Sequence, residues 1–178
     1  MKYALIVLAA LAALVLVIVA IGYSLPVKHR ASRQIHLRQP PERVFALIND
    51  PAGFPSWRSK VKTVDILPDN NGHRVFRENG GDGKILFEVD SVVPNKRLVT
   101  RIADKSLAFG GTWTYDLIPD GPGTTLRITE DGEVYNPIFR FVSRFVMGHS
   151  ATIDGYLRDV AAHFGESSVV IEESSSRQ

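Results

Sequence analysis

Two polar residues interrupt stretches that otherwise read as apolar faces, and any chemistry in this chain would begin with them. Glu130 lies in the run 124–134, where strict alternation puts it on the same face as Leu126, Ile128 and Val134. A carboxylate on an inward face is raised in pKa by desolvation and can exchange protons. The plainer alternatives are an arginine partner, or a bulge near Gly132 that turns the side chain outward. His149 breaks an apolar helical stripe within Met147-Gly148-His149-Ser150. An imidazole facing a cavity can donate to a ligand or act as a general base; a satisfied, partly buried core histidine is the other reading. Trp113, Tyr115, Phe141, Phe145 and Tyr156 recur on the same inward faces, as core or as the lining of a cavity. Trp57 belongs to a loop that gates such a cavity or packs the short helices beside it.

The remaining composition excludes more than it offers. With no cysteine, disulfides, thiolate metal sites and cysteine nucleophiles are ruled out. His-Glu-x-x-His, Gly-x-Ser-x-Gly, the Walker loop and the dinucleotide fingerprint are all missing. Five histidines, at 29, 36, 73, 149 and 163, show no metal-ligand spacing. No metal and no cofactor are expected. A net charge of +2 is too small to suggest a nucleic-acid partner.

These residues must be positioned by elements that the spacing of apolar and turn residues suggests. Alternation predicts a strand over 32–38, with Ile35 and Leu37 on one face. Pro40-Pro41-Glu42 opens a short helix, because proline is tolerated in the first turn and an acid there complements the dipole. A second short helix or turn follows over 52–58. Strands are then expected over 61–67, 73–78, 84–93, 97–103, 111–118 and 124–134, separated by clusters of Gly, Pro, Asn and Asp. Short connections favour an antiparallel meander. One long helix is expected from about 137 to 164 with a single buried stripe that includes Phe141, Phe145 and Tyr156. A Ser- and Glu-rich tail, 166–178, reads as disordered.

The amino terminus is different in kind. Residues 3–23 carry no charge and are dominated by Leu, Val, Ile and Ala, enough for a helix to cross the hydrocarbon core of a bilayer. An uncleaved anchor is the expectation; a signal peptide cut after Ala20-Ile21-Gly22 is the alternative. Lys28, Arg30, Arg33 and Arg38 follow closely, which favours a cytoplasmic domain by the positive-inside tendency and contact with anionic headgroups. The organisation is therefore an anchor (1–25), a basic linker (26–30), one domain (31–165) and the tail. The bilayer is the expected partner.

The order of elements, together with Ile35-His36-Leu37-Arg38-Gln39-Pro40-Pro41-Glu42-Arg43-Val44-Phe45, Asp50-Pro51-Ala52-Gly53-Phe54-Pro55-Ser56-Trp57 and Gly111-Thr112-Trp113-Thr114-Tyr115, resembles the START-like superfamily, specifically its polyketide cyclase/dehydrase and lipid-transport-like branch. The resemblance covers nearly all of 31–165 and implies an α+β helix-grip fold, a curved antiparallel sheet of six or seven strands on a long C-terminal helix. A curved sheet and a straight helix cannot meet along their whole length, so a cavity between them is expected. The resemblance is specific for the fold and not for an activity. Iron-sulfur and non-haem oxygenase relatives exist, but their ligand motifs are missing here. The leading expectation is a membrane-anchored module binding a lipid or other hydrophobic small molecule, with Trp113, Tyr115, Glu130, Phe141, Phe145, His149 and Tyr156 as cavity candidates. The alternatives are a cyclase/dehydrase-like enzyme using Glu130 and His149 as an acid–base pair, and a domain that binds a protein partner.

Overall fold

The computed structural model describes residues 2–81, 83–148, 150–167 and 171–172. Helix α1, Lys2–Ser24, is long and apolar enough to cross a membrane. At 1.5 Å per residue its 23 residues extend about 34 Å. Only three residues separate it from strand β1, Lys28–Leu37. Lys28, His29 and Arg30, expected in a linker, are instead the first residues of that strand. Strand β7, Gly123–Val134, draws them in by pairing Lys28 with Glu133 and Arg30 with Asp131.

Helix α2, Pro41–Ile48, starts on proline and turns Val44, Phe45 and Ile48 inward. A single 3-10 stretch, Pro51–Ser56, buries Phe54. Strands β2 (Val61–Asn70), β3 (His73–Gly80), β4 (Gly83–Val93), β5 (Arg97–Ile102), β6 (Phe109–Asp120) and β7 then run as an antiparallel meander. β1 closes against β7, giving a curved sheet in the order β2-β3-β4-β5-β6-β7-β1-β8. The first hairpin is tighter than the run of Pro, Asp and Asn suggests. β2 continues to Asn70, and Asn71-Gly72 alone makes the turn, both with positive φ (51° and 84°), as a two-residue hairpin that matches strand twist requires. Register shifts within β2 and between Val89 and Ser91 bend the sheet.

The C-terminal helix is not continuous. Helix α3, Pro137–Val142, passes into a π-helical turn, Ser143–Met147, and α4 begins only at Ala151 and ends at His163. The Gly148 N–H donates to the Ser143 carbonyl at 3.0 Å, and Gly148 then adopts φ 75° and ψ 153°, which ends the helix. The break destroys the single buried stripe. α4 keeps it, burying Ile153, Tyr156, Leu157 and Val160 against the sheet, whereas Phe145 is 61% and Val146 73% exposed. Arg33 of β1 fastens the start of α4, reaching the Ser150 hydroxyl at 2.8 Å and the Asp154 carboxylate at 3.3 Å.

Two residues of the segment expected to be disordered, Ile171–Glu172, form strand β8 on the edge of β1. Glu166 is also tied down, accepting from the Arg38 backbone N–H at 2.9 Å and the Gln39 amide at 3.1 Å.

Candidate ligand cavity

Between the sheet and the segment running from the end of α2 through the 3-10 turn lies a cavity of about 180 Å3, which α4 lines with Thr152 alone. Its floor is built by alternation: Ile85, Phe87 and Val89 of β4, Leu98, Thr100 and Ile102 of β5, and Trp113 and Tyr115 of β6 project to the same side. Phe54 and Phe76 close one end, edge to face with centroids 5.9 Å apart, and Phe76 stacks on Phe87 at 5.3 Å. Phe109 and the exposed Thr152 at the start of α4 also line it.

Five charged side chains, Arg58, Lys60, Arg74, Glu78 and Glu130, break this apolar wall. Arg58, just past the 3-10 turn, is ion-paired with Glu78 of β3, and both side chains are largely buried. The Arg58 guanidinium also lies over the rings of Tyr156 (4.8 Å) and Phe54 (5.1 Å). Burial opposes its charge most strongly, but the Glu78 carboxylate together with the Tyr156 and Tyr115 phenols holds the Arg58 pKa above its ordinary value. Burial pushes the Tyr115 and Tyr156 phenols well up, so both are neutral at any physiological pH. Another charged group is Glu130, whose Oε1 lies 3.4 Å from Nε2 of His29. Gly132 makes room for that imidazole, since a Cβ there would collide with the ring.

The polar cluster of His73, Glu88 and Asp90 has the composition of a metal site, with candidate ligand atoms within 4.8 Å of one another. Its donors are already used. Arg101 takes the Glu88 and Asp90 carboxylates at 2.8 Å and 2.7 Å, and His73 Nδ1 bonds the Val89 carbonyl at 2.8 Å. With Arg101 bridging both carboxylates, the set reads as a structural network.

A family model described as "Polyketide cyclase / dehydrase and lipid transport" matches residues 28–164. The chain belongs to that family. Solved structures agree on the START-like helix-grip fold. A START superfamily protein from Mycobacterium smegmatis is 18% identical, with 76% of this chain and 99% of that one covered at a TM-score of 0.58. The Zhui aromatase/cyclase from Streptomyces sp. R1128 is 13% identical, covering 76% of this chain and 93% of that one at 0.62. A conserved protein from Geobacillus kaustophilus is 15% identical, covering 80% and 99% at 0.63. At these identities the likeness concerns the fold alone. No curated protein matches the chain.

Within this polyketide cyclase/dehydrase and lipid-transport domain, the candidates read from the sequence divide. Trp113, Tyr115 and Glu130 line the cavity. Tyr156 stands behind them, buried, its ring 5.5 Å from that of Tyr115 and 5.9 Å from that of Trp113. Phe141 and Phe145 do not join them. They pack on each other at 5.0 Å along α3 and the π turn, because the break at Gly148 rotates this half of the helix out of phase with α4. His149 lies outside the described residues. Trp57 packs edge to face on Tyr156 at 5.4 Å and on Phe54 at 5.5 Å.

Sequence reasoning missed Arg58 and Glu78. Glu78 was within reach, because alternation from Phe76 places it inward by the logic applied to Glu130. Arg58 carried no such signal, since it stands in an irregular turn whose side-chain directions have no period.

Proposed function

We propose that this chain is a membrane-anchored domain that holds an apolar small molecule in this cavity and leaves its bonds intact. The observation that carries the reading is the wall itself, apolar on most of its surface, with Arg58, Lys60, Arg74, Glu78 and Glu130 as its charged groups. Pockets of this kind gain affinity from burial and orientation from a few polar groups. The polar groups available suit holding better than reacting. Arg58 is neutralised by Glu78, and Tyr115 is a neutral phenol.

The volume narrows the ligand class. A dry apolar void of about 150 Å3 takes a molecule the size of benzene. A cavity of about 180 Å3 therefore encloses one ring system or part of a single acyl chain. The anchor supports the same reading, since α1 would keep the domain beside membrane-dissolved ligands and raise their effective concentration.

The test is extraction of the purified full chain followed by mass spectrometry, with binding of a fluorescent single-chain acyl probe measured alongside. A bound apolar compound, and probe binding abolished by Ile85→Trp in a folded protein, are expected. A stable native protein that yields no compound and binds no probe would overturn the reading. A cyclase-like reaction is the second reading, favoured by the Arg58–Glu78 pair on the wall. It requires turnover of an apolar carbonyl compound that Glu78→Gln abolishes.

A further inference from the structure

Outside α1, several of the most exposed large apolar side chains gather at one place. Ile138 of α3 is 44% exposed, Phe145 and Val146 of the π turn 61% and 73%, and Tyr135 just before them 46%. Water-exposed apolar residues in such density mark a surface that something else covers.

The position of α1 says what that is. Its last turn packs directly on α3, and Gly22 sits so close to the Pro137 carbonyl that a Cβ would have no space. Arg140, 8% exposed, fixes the junction by donating to the Leu25 carbonyl at 2.8 Å and to the Tyr135 carbonyl at 3.4 Å. Its guanidinium also lies 5.9 Å from the Tyr23 ring centre. Val134 continues the attachment, its N–H bonding the Val27 carbonyl at 2.8 Å. The domain is thus seated on the end of α1, and α3 begins at the depth of Gly22 and Tyr23.

If α1 spans a bilayer, as the reading above holds and on which this inference rests, Tyr23 falls where the hydrocarbon core meets the headgroups. The exposed side chains of α3 and the π turn are then at interfacial depth. We infer that Ile138, Phe145 and Val146 insert into the interface of the same bilayer that holds α1, so that the cavity opens beside the lipid. Apolar faces of this kind bury about 5–10 Å into the boundary between headgroups and acyl chains. Arg144, exposed on the same turn, meets the phosphate layer. The cavity lies next to this surface, because Phe109 on its wall stacks on Phe139 of α3 at 6.0 Å. An apolar ligand leaving the acyl layer would reach the cavity without crossing water.

Because the chain has no cysteine, single labels report without background. Full-length Phe145→Cys and Val146→Cys, each carrying an environment-sensitive fluorophore, are placed in phosphatidylcholine vesicles containing phosphatidylglycerol. Val15→Cys in α1 and Pro122→Cys in the far turn between β6 and β7 serve as references. Lipid-borne quenchers at shallow depth should quench the labels at 145 and 146 several-fold more than the label at 122, and deep quenchers should act on 15. A label at 15 that is quenched, with 145 and 146 open to aqueous quencher, would overturn the inference and leave the anchor standing. Labels at 145 and 146 shielded from both quenchers would mean that protein, not lipid, covers the turn, and would also overturn it. No lipid quenching at 15 would overturn both readings.

Discussion

Arg58 and Glu78 form an ion pair on the wall of a mostly apolar cavity, and the Arg58 guanidinium lies 4.8 Å from the centre of the Tyr156 ring. The two side chains come from a turn and a strand twenty residues apart in sequence, and each answers the desolvation of the other.

Removing one partner should therefore cost more than removing both. Arg58→Leu or Glu78→Leu alone is expected to lower stability by about 3–5 kcal/mol, the cost of stranding a buried charge. The double substitution should regain most of that. Urea denaturation of the four proteins checks it; strictly additive losses would show the pair is uncoupled.

Gly111 in β6 holds φ 124°, and a Cβ there would strike the Asp131 carbonyl and the Gly132 backbone. Gly111→Ala should destabilise by at least about 1–3 kcal/mol, since backbone strain adds to a collision that neither strand can relieve alone. A thermal melt unchanged from the parent would contradict the close approach of β6 and β7.

The Tyr156 hydroxyl is buried beside that of Tyr115, and makes no well-formed hydrogen bond among the described residues. Tyr156→Phe should leave stability unchanged or raise it by up to about 1–3 kcal/mol, because an unmet buried polar group costs that much. If the ligand or a water uses this hydroxyl, the substitution weakens probe binding while the melt holds, which separates the two roles.

Glu88 titrates below its ordinary value of 4.5, first because Asn70 donates to it and also because Arg101 pairs with it. A depressed carboxylate stabilises the fold fully above its unfolded pKa, and that contribution is lost as pH falls through the folded value. Stability should decline on acidification below about pH 4.5, and Glu88→Gln should flatten that part of the profile. Unfolding free energies measured across this range decide it; an unaltered slope would remove Glu88 as a contributor.

Much of this architecture is local in origin and therefore visible in the sequence. The apolar run 3–23, the period-two strands and the proline-led α2 are set by side-chain spacing and backbone chemistry within a few residues. The inward direction of Trp113, Tyr115 and Glu130 follows from the same alternation. Tertiary structure decided the rest. The break at Gly148 was hidden because Phe141 and Phe145 keep helical spacing with α4 residues, and spacing alone cannot register a π turn that shifts the phase. The pairing of Lys28 with Glu133 and of Ile171 with Gln34 joins residues over a hundred positions apart, turning an expected linker and tail into strand. Arg58 meets Glu78 only because the sheet curves beneath the irregular turn. Such contacts depend on where distant backbone lies, and no local pattern records that.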